Sequence, residues 1–265
     1  MNHNGYTIIH PDAKIGENVT IGPFCHIAQD VVIGEGTWID GNVSIMNGVR
    51  IGKNCKIFAG AIIGSIPQDL KYKGEKTQLE IGDNTIIREY CTLNIGTTAN
   101  MKTVIGKDCL LMAYVHVAHD CVISDSVILA NNVTLAGHIE IGYHATLGGF
   151  VAVHQFVKIG EHSMIGGGSL VRSDVPPYVT AARDPLAYAG VNSTGLKRRG
   201  FSKEQINNIA DIYRILFIKG NNTKQALLKI EETIPPSPEK TNIITFIRKA
   251  KRGLIKGFRT TKIEK

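Results

Sequence analysis

The fold is decided by a six-residue repeat that is already complete in residues 9–45, which read IHPDAKIGENVTIGPFCHIAQDVVIGEGTWIDGNVSI. Isoleucine occupies every sixth position of this stretch, and aliphatic residues keep the same register up to residue 171. The later repeat positions are Ile51, Ile57, Ile63, Ile81, Ile87, Leu93, Ile105, Leu111, Val117, Ile123, Leu129, Leu135, Ile141, Leu147, Val153, Ile159, Ile165 and Val171. Two interruptions preserve this phase, so each of them replaces whole repeats.

A period of six fits neither an α-helix of about 3.6 residues per turn nor a simple alternating strand. It indicates short strands joined by corners, about 18 residues to a coil of three strands, with coils stacked about 4.8 Å apart. The aliphatic residue points inward, and a second small or branched residue four positions later completes a narrow core. The sequence therefore predicts a mainly β protein with a parallel β-helix over residues 1–177.

The repeat also accounts for the cysteines. All five occupy the second inward position: Cys25, Cys55, Cys91, Cys109 and Cys121. An odd number of such thiols without CxxC spacing argues against zinc binding and against disulfides. We therefore predict that they only fill the core.

The remaining chain falls into loops, a linker and helices. Loops near residues 65–79 and 94–103 interrupt the repeat, and polar loops on a rigid scaffold commonly carry binding groups. Residues 178–200 are predicted to be an irregular linker, and residues 201–265 an α-helical C-terminal domain.

Three helices are predicted in that domain. Ser202-Lys203-Glu204-Gln205 resembles a capping box, which would open a helix that ends at Gly220. The second helix is expected from Thr223 to Glu232, and the third from about Glu239 to Arg252.

The composition is that of a globular protein. Of the 265 residues, 43% are hydrophobic and 20% are charged, which is too apolar for intrinsic disorder. No stretch approaches the roughly 20 apolar residues that span a bilayer, and the polar N-terminus lacks the apolar segment of a signal peptide. We therefore expect a cytoplasmic protein without a transmembrane segment.

The net charge of +7 comes largely from the C-terminal part. Its densest clusters are Lys197-Arg198-Arg199 and the run from Arg248 to Arg252. Such an excess favours an anionic partner, which can be nucleic acid, a membrane surface, an acidic protein or a nucleotide diphosphate. Composition alone leaves these four open, beside the interpretation that the clusters are solvated helix faces.

The repeat brings two of the nine histidines together. With about 18 residues to a coil, His119 lies beneath Gly137 and next to His138. A histidine can accept a proton from a hydroxyl group that attacks a thioester, and the carboxylate of Asp120 would orient the ring. The backbone N–H of Gly137 could stabilise the oxyanion. The cluster therefore predicts general-base chemistry.

Two other interpretations of the histidines stay open. His116, His119 and His138 could bind zinc, as in hexapeptide β-helices that resemble the γ-class carbonic anhydrases. Those enzymes have more widely spaced pairs than His-Val-Ala-His, and they lack the loops found here. A non-catalytic scaffold is the second alternative, but it would not need the pairing of His119 with His138.

Several motifs, taken in this order, are specific to one family. They are Gln68-Asp69-Leu70-Lys71-Tyr72, His116-Val117-Ala118-His119-Asp120-Cys121, Asn131-Asn132-Val133-Thr134-Leu135-Ala136-Gly137-His138, Val153-His154-Gln155-Phe156, Asp174-Val175-Pro176-Pro177-Tyr178 and Gly195-Leu196-Lys197-Arg198-Arg199-Gly200-Phe201. On these residues the chain resembles, over essentially its whole length, the UDP-N-acetylglucosamine O-acyltransferases of lipid A biosynthesis. The resemblance implies a left-handed β-helix in a homotrimer, with active sites between neighbouring prisms.

The resemblance also implies a reaction and its residues. A 3-hydroxyacyl chain moves from acyl carrier protein, where phosphopantetheine holds it, to the 3-hydroxyl of UDP-N-acetylglucosamine, without metal, other cofactor or nucleic acid. By motif match His119 is the general base, Asp120 its orienting partner and Gly137 the oxyanion donor. His138 helps to hold the substrates. Further matches to substrate-binding positions are Gln68, Asp69, Lys71, His116, His154, Gln155, Asn192, Arg198 and Arg199.

Two details follow from the same resemblance. Gly167 matches a position that limits acyl length, and its missing side chain leaves room for a longer chain. The basic C-terminal domain, including Arg198, would meet the acidic carrier protein. Asn94-Ile95, Thr194 and Pro185 depart from the commonest form of the family.

Other acyltransferases with this repeat are the remaining alternatives. The N-acyltransferase of the same pathway carries an extra N-terminal domain, whereas here the repeat begins by residue 9. Acetyltransferases that use acetyl-CoA lack the motif Gln68–Tyr72 and the pair Arg198-Arg199.

Overall fold

The computed structural model describes residues 6–218 and 222–257. In this part of the chain, short strands numbered along the sequence form three sheets, which are the three sides of a prism. Sheet 1 contains β1 (Ile8–Ile9), β4 (His26–Ile27), β7 (Ser44–Ile45), β10 (Ile62–Ser65), β13 (Thr92–Asn94), β16 (His116–Val117), β19 (Thr134–Leu135), β22 (Ala152–Val153) and β25 (Leu170–Val171). Sheet 2 contains β2 (Lys14–Ile15), β5 (Val31–Ile33), β8 (Val49–Ile51), β11 (Gln78–Ile81), β14 (Lys102–Ile105), β17 (Val122–Ile123), β20 (Glu140–Ile141) and β23 (Lys158–Ile159).

Sheet 3 closes the prism and continues into the C-terminal part. It contains β3 (Thr20–Ile21), β6 (Trp38–Ile39), β9 (Lys56–Ile57), β12 (Ile86–Ile87), β15 (Leu110–Leu111), β18 (Ile128–Leu129), β21 (Thr146–Leu147), β24 (Met164–Ile165), β26 (Val179–Ala182), β27 (Ala187–Val191) and β28 (Lys256–Gly257). Up to β26, successive strands of one sheet are parallel and lie one coil apart, as the pairing of Ile9 with Ile27 shows. The predicted parallel β-helix is therefore confirmed.

The interruptions of the repeat are loops on one edge of the prism. Ile63 pairs with Leu93, which in turn pairs with Val117. The number of residues between these paired strands exceeds one coil, but the inward positions keep their register. The inserted residues lie in two strand-free segments, 66–77 and 95–101. Both segments connect a strand of sheet 1 to a strand of sheet 2, and we call this edge corner 1–2.

The inward positions form one continuous hydrophobic core. The repeat aliphatics from Ile21 to Val171 are buried, and Ile27, Ile57 and Leu129 have no exposed surface. All five cysteines are buried and free, as predicted. Burial raises the pKa of the Cys91 and Cys121 thiols to about 12, which suits packing groups better than reactive ones.

The segment 178–200 is not the irregular linker that the sequence predicts. Strand β26 pairs with β24 and then forms an antiparallel hairpin with β27, and α1 (Ser193–Arg198) follows. Long-range pairing with the open end of sheet 3 overrides the weak local pattern of these residues. The division of the chain into a β-helix domain over residues 1–177 and a C-terminal domain over residues 201–265 stays a prediction.

The predicted helices are present with small shifts. Ser202 and Gln205 form the predicted capping box of α2 (Lys203–Tyr213), which continues as one π-helical stretch, Arg214–Ile218. Gly220, the predicted end of that helix, lies outside the described residues. Helix α3 (Thr223–Thr233) and helix α4 (Pro238–Lys249) follow, the latter ending three residues before Arg252. None of these helices has the length and hydrophobicity of a membrane-spanning segment.

Candidate active site

The predicted catalytic residues lie together at corner 1–2. Asp120, His138 and Phe156 occupy the same corner position in three successive coils, with φ values of 59°, 61° and 67°. The amide of His138 donates to the carbonyl of His119 at 3.0 Å, and the amide of Phe156 donates to the carbonyl of Gly137 at 3.2 Å. The repeat itself therefore stacks the cluster, as predicted.

His119 and Asp120 form a direct side-chain pair. Nδ1 of His119 lies 2.8 Å from Oδ2 of Asp120, and both side chains are buried. Since an ionised carboxylate can only accept, Nδ1 carries the proton and Nε2 of His119 is left as the acceptor. This is the tautomer that a general base requires.

A threonine that the sequence did not single out holds the same carboxylate. The amide of Thr97 donates to Oδ1 of Asp120 at 2.9 Å, and its hydroxyl donates to Oδ2 at 2.6 Å. Burial acts to raise the pKa of Asp120, but the hydrogen bonds from Thr97 and His119 outweigh it and lower this pKa. Asp120 is thus kept ionised beside the base.

The hydroxyl of Thr97 has a testable role. We expect Thr97→Val to lower kcat by about 10- to 100-fold, because a hydrogen bond to a charged group contributes roughly 1.5–3 kcal/mol. Without this donor the pKa of Asp120 rises, so the acidic limb of the kcat profile moves to higher pH. Thr97→Ser keeps the hydroxyl and should stay within about threefold of wild type. Wild-type kcat in Thr97→Val would contradict the role.

Position 137 has room only for a glycine, because the His119 ring lies directly against it. A Cβ atom at Gly137 would lie 2.6 Å from Cε1 and 2.7 Å from Nε2 of His119. Among the described residues, none accepts a hydrogen bond from the Gly137 amide. The residue that lies against the His119 ring therefore has a backbone donor that no described residue uses.

His138 and Phe156 form the next layer of the corner. The rings of His119 and His138 are perpendicular with centroids 5.0 Å apart, and His138 stacks on Phe156 at 4.7 Å. Burial lowers the pKa of His138, although Asp120, whose Oδ2 lies 3.7 Å from Nε2 of His138, acts in the opposite direction.

A cleft of about 250 Å³ opens over this corner. Three lining residues belong to the corner itself: His138, Gln155 and Phe156. The others belong to the two loops: Asp69, Lys71, Tyr72, Glu75, Thr97, Thr98 and Ala99. Three predicted substrate-binding residues, Asp69, Lys71 and Gln155, thus line the same cleft as His138. The buried pair of His119 and Asp120 is not among the lining residues and lies behind His138 and Thr97, which contact it. Gln68 lies exposed in the same loop, but it does not line the cleft.

Hydrogen bonds fix the loops to one another. The side-chain amide of Asn94, which is buried, donates to the carbonyls of Ser65 and Ile66, and the hydroxyl of Thr77 donates to the carbonyl of Gly96. The segment 95–101, whose Thr97 binds Asp120, and the segment 66–77 are therefore joined near their ends by hydrogen bonds.

Two further predicted histidines lie on the adjoining part of sheet 1 and corner 1–2. His116 bonds through Nδ1 to the hydroxyl of Thr92 at 2.8 Å, and burial lowers its pKa. His154 is exposed, and its Nδ1 contacts the guanidinium of Arg252 at 2.9 Å.

Three predicted residues lie on a different edge of the prism. Asn192 caps α1 and donates to the carbonyl of His162, which belongs to the edge between sheets 2 and 3, called here corner 2–3. Arg198 is exposed, and Arg199 is half-buried with Nη1 unpaired among the described residues. Burial lowers the pKa of His162 to about 4, and the charge of Arg199 acts in the same direction. Within one chain these residues do not join the cleft.

Gly167 lies between β24 and β25, at the edge where sheet 3 meets sheet 1. Gly167 is exposed, and a Cβ atom there would lie 3.1 Å from the carbonyl oxygen of Gly149.

His119, Asp120 and His138 present possible ligand atoms within 4.8 Å of one another, whereas His116 is not in this group. Asp120 already accepts from His119 and from the neighbouring loop, an arrangement suited to proton transfer.

Comparisons with known proteins agree with this geometry. Residues 102–137 match the model of bacterial transferase hexapeptide repeats, residues 174–255 match domain 2 of UDP N-acetylglucosamine O-acyltransferase, and residues 3–69 match a GMPPB C-terminal domain. An acyl-[acyl-carrier-protein]–UDP-N-acetylglucosamine O-acyltransferase from Chlorobium phaeobacteroides is 60% identical over 247 residues, which are 93% of this chain and 94% of the relative.

Solved structures extend the similarity to the fold. LpxA, a UDP-N-acetylglucosamine acyltransferase from Bacteroides fragilis, matches with a TM-score of 0.94 and 49% identity, over 96% of this chain and 99% of that one. LpxA from Acinetobacter baumannii matches with a TM-score of 0.93 and 44% identity, over 96% and 99%. The prism is accordingly a left-handed parallel β-helix, as the resemblance implied. The chain belongs to the acyl-[acyl-carrier-protein]–UDP-N-acetylglucosamine O-acyltransferase family.

Proposed function

We propose that this enzyme transfers a 3-hydroxyacyl chain from acyl carrier protein to the 3-hydroxyl of UDP-N-acetylglucosamine, the first step of lipid A biosynthesis. The observation that carries the proposal is the buried pair of His119 and Asp120, 2.8 Å apart, in a chain that belongs to this family. The pair contacts Thr97 and His138, and these two residues line the cleft. The N-acyltransferase and carbonic-anhydrase-like alternatives are not favoured by the relatives.

The geometry supports a general-base mechanism. Nε2 of His119 accepts the proton of the sugar hydroxyl while the hydroxyl oxygen attacks the thioester carbonyl. Asp120 stabilises the resulting imidazolium, and the amide of Gly137 donates to the oxyanion. When the C–S bond breaks, the imidazolium returns the proton to the phosphopantetheine sulfur. No metal or cofactor takes part in these steps.

The cleft residues then hold the substrates. Asp69 and Lys71 contact the sugar and acyl chain, together with Gln68 from the same loop. His138 and Gln155 line the other side of the cleft, where their polar atoms can bind sugar hydroxyls. His116 and His154 are assigned to the nucleotide sugar.

A second copy of the chain completes the site in this proposal. Asn192 and Arg199 lie at corner 2–3 of their own prism, so they can reach a nucleotide at corner 1–2 only from a neighbouring prism. A homotrimer with sites between prisms provides this arrangement. Exposed Arg198 and the basic C-terminal part then face the acidic carrier protein, and the trimer works in the cytoplasm.

Gly167 is proposed to set the length of the acyl chain. Because the position carries no side chain, it leaves room for a longer acyl chain.

One assay tests both the function and the acyl length. The purified protein is incubated with UDP-N-acetylglucosamine and carrier proteins loaded with 3-hydroxyacyl chains of different lengths, and the products are analysed by mass spectrometry. An O-acylated product supports the proposal. Failure of every donor, or activity only with an amino-sugar acceptor, would refute it.

A further inference from the structure

The segment after α4 returns to the open end of the prism. The amide of Arg252 donates to Oδ2 of Asp174 at 3.2 Å, the amide of Asp174 donates to the carbonyl of Gly253 at 2.8 Å, and the amide of Ile255 donates to the carbonyl of Asp174 at 3.0 Å. Asp174 is fully buried, and its Oδ1 also accepts from the amide of Lys158 at 2.7 Å. Backbone bonds therefore fix where Arg252 lies.

This attachment directs the Arg252 side chain to corner 1–2. Its Nη2 lies 2.9 Å from Nδ1 of His154, a residue 98 positions earlier in the chain. Nδ1 of His154 has two contacts that require opposite roles: Nη2 of Arg252 at 2.9 Å can only donate to it, and the carbonyl oxygen of Gln155 at 3.2 Å can only accept from it. The shorter contact, with the charged guanidinium, favours Nδ1 as the acceptor and places the proton of the neutral ring on Nε2. The contact thus leaves the remaining guanidinium N–H groups and the His154 Nε2–H as donors.

Within residues 6–218 and 222–257, no carboxylate pairs with the guanidinium of Arg252, and its side chain is exposed. By contrast, the nearby carboxylate of Asp174 binds only backbone amides. A fixed, unpaired guanidinium beside an imidazole N–H suits a phosphate group, which the guanidinium can bind through two parallel hydrogen bonds.

The pair lies at the rim of the candidate active site. His154 directly precedes Gln155, which lines the cleft together with His138. We infer that Arg252 and His154 form a phosphate-binding site for a substrate of the transferase. The inference rests on the proposed function, in which both substrates carry phosphate: the nucleotide sugar as a diphosphate and the acyl donor as the phosphodiester of phosphopantetheine.

Kinetics of Arg252→Gln test the inference. The substitution removes the charge and keeps the backbone bonds to Asp174. We expect kcat to stay within about threefold, while KM for the substrate whose phosphate binds here rises by about 10- to 100-fold. Arg252→Lys keeps the charge without the planar fork, so its KM should fall between those of wild type and Arg252→Gln.

Binding measurements identify the source of the phosphate. If it is the nucleotide diphosphate, calorimetry shows weaker binding of UDP by Arg252→Gln and unchanged binding of uridine. If it is phosphopantetheine, only KM for the acyl carrier protein substrate rises. Unchanged KM for both substrates, together with unchanged UDP affinity, would overturn the inference.

A matched variant controls for net charge. Lys14→Gln removes one exposed positive charge from β2, outside the basic C-terminal part, and it should leave both KM values within about twofold. Equal losses in Lys14→Gln and Arg252→Gln would also overturn the inference, because long-range attraction by the net charge would then explain both. Thermal melting of each variant checks the fold. If wild type itself shows no transfer, the proposed function fails, and the comparison of UDP with uridine still tests the nucleotide diphosphate.

Discussion

The His119→Ala variant is expected to fold like wild type and to transfer acyl chains about 10²- to 10⁴-fold more slowly. The substitution removes the imidazole whose Nε2 is left as the proton acceptor because its Nδ1 donates to Asp120. Since the residue belongs to a corner and the core aliphatics remain, the prism keeps its packing. Initial rates with saturating substrates, together with thermal melting, measure the two effects separately.

A second histidine–aspartate pair at the same edge provides the control. His10 and Asp12 lie in the first coil with Nδ1 and Oδ2 3.8 Å apart, and both side chains are exposed. His10→Ala should therefore retain wild-type rates. If His119→Ala also retained them, the general-base assignment would be wrong.

The second large loss of activity is expected from Gly137→Ala, which adds a single methyl group. In Gly137→Ala the new methyl group would overlap the His119 ring, with contacts of 2.6 and 2.7 Å, so the imidazole must move away from the reacting hydroxyl. The backbone amide of residue 137 is retained. A displacement of about 1 Å can cost about 10²-fold in rate, and we expect a loss of kcat of that size. Single-turnover measurements report it without interference from product release.

Gly41→Ala is the matched control for this substitution. Gly41 occupies the same position of the repeat in a distant coil, and a Cβ atom there meets the carbonyl oxygen of Pro23 at 3.1 Å, a contact that small shifts relieve. This variant should keep its activity. A Gly137→Ala enzyme as active as Gly41→Ala would show that the position of the His119 ring does not limit the rate.

The repeat made the prism and the catalytic cluster predictable. Six-residue periodicity assigns an inward or outward direction to each residue, and the 18-residue coil stacks Gly137 on His119 without further information. The capping box at Ser202 was equally accessible, because its bonds are local. These features depend on short-range or periodic order.

Features that depend on neither periodic nor short-range order could not be predicted. Thr97 lies in a loop whose conformation the repeat does not determine, so its bonds to Asp120 were missed. The hairpin of β26 and β27 forms because sheet 3 ends in unpaired backbone groups, a tertiary cause that the local pattern does not contain. The contact of Arg252 with His154 joins residues from opposite ends of the C-terminal half.

The two loops at corner 1–2 have a consequence for how such proteins can change. Each loop is inserted between two consecutive strands and lies outside the coil, so residues after it return to the same inward register. Loop length at a corner can therefore vary, whereas loss of one residue inside a coil would turn every following aliphatic residue outward until the phase was restored. Grafting of foreign loops at the junctions of β10 with β11 and β13 with β14 should thus leave the scaffold intact, and the specificity of the cleft can be varied independently of the framework that holds it.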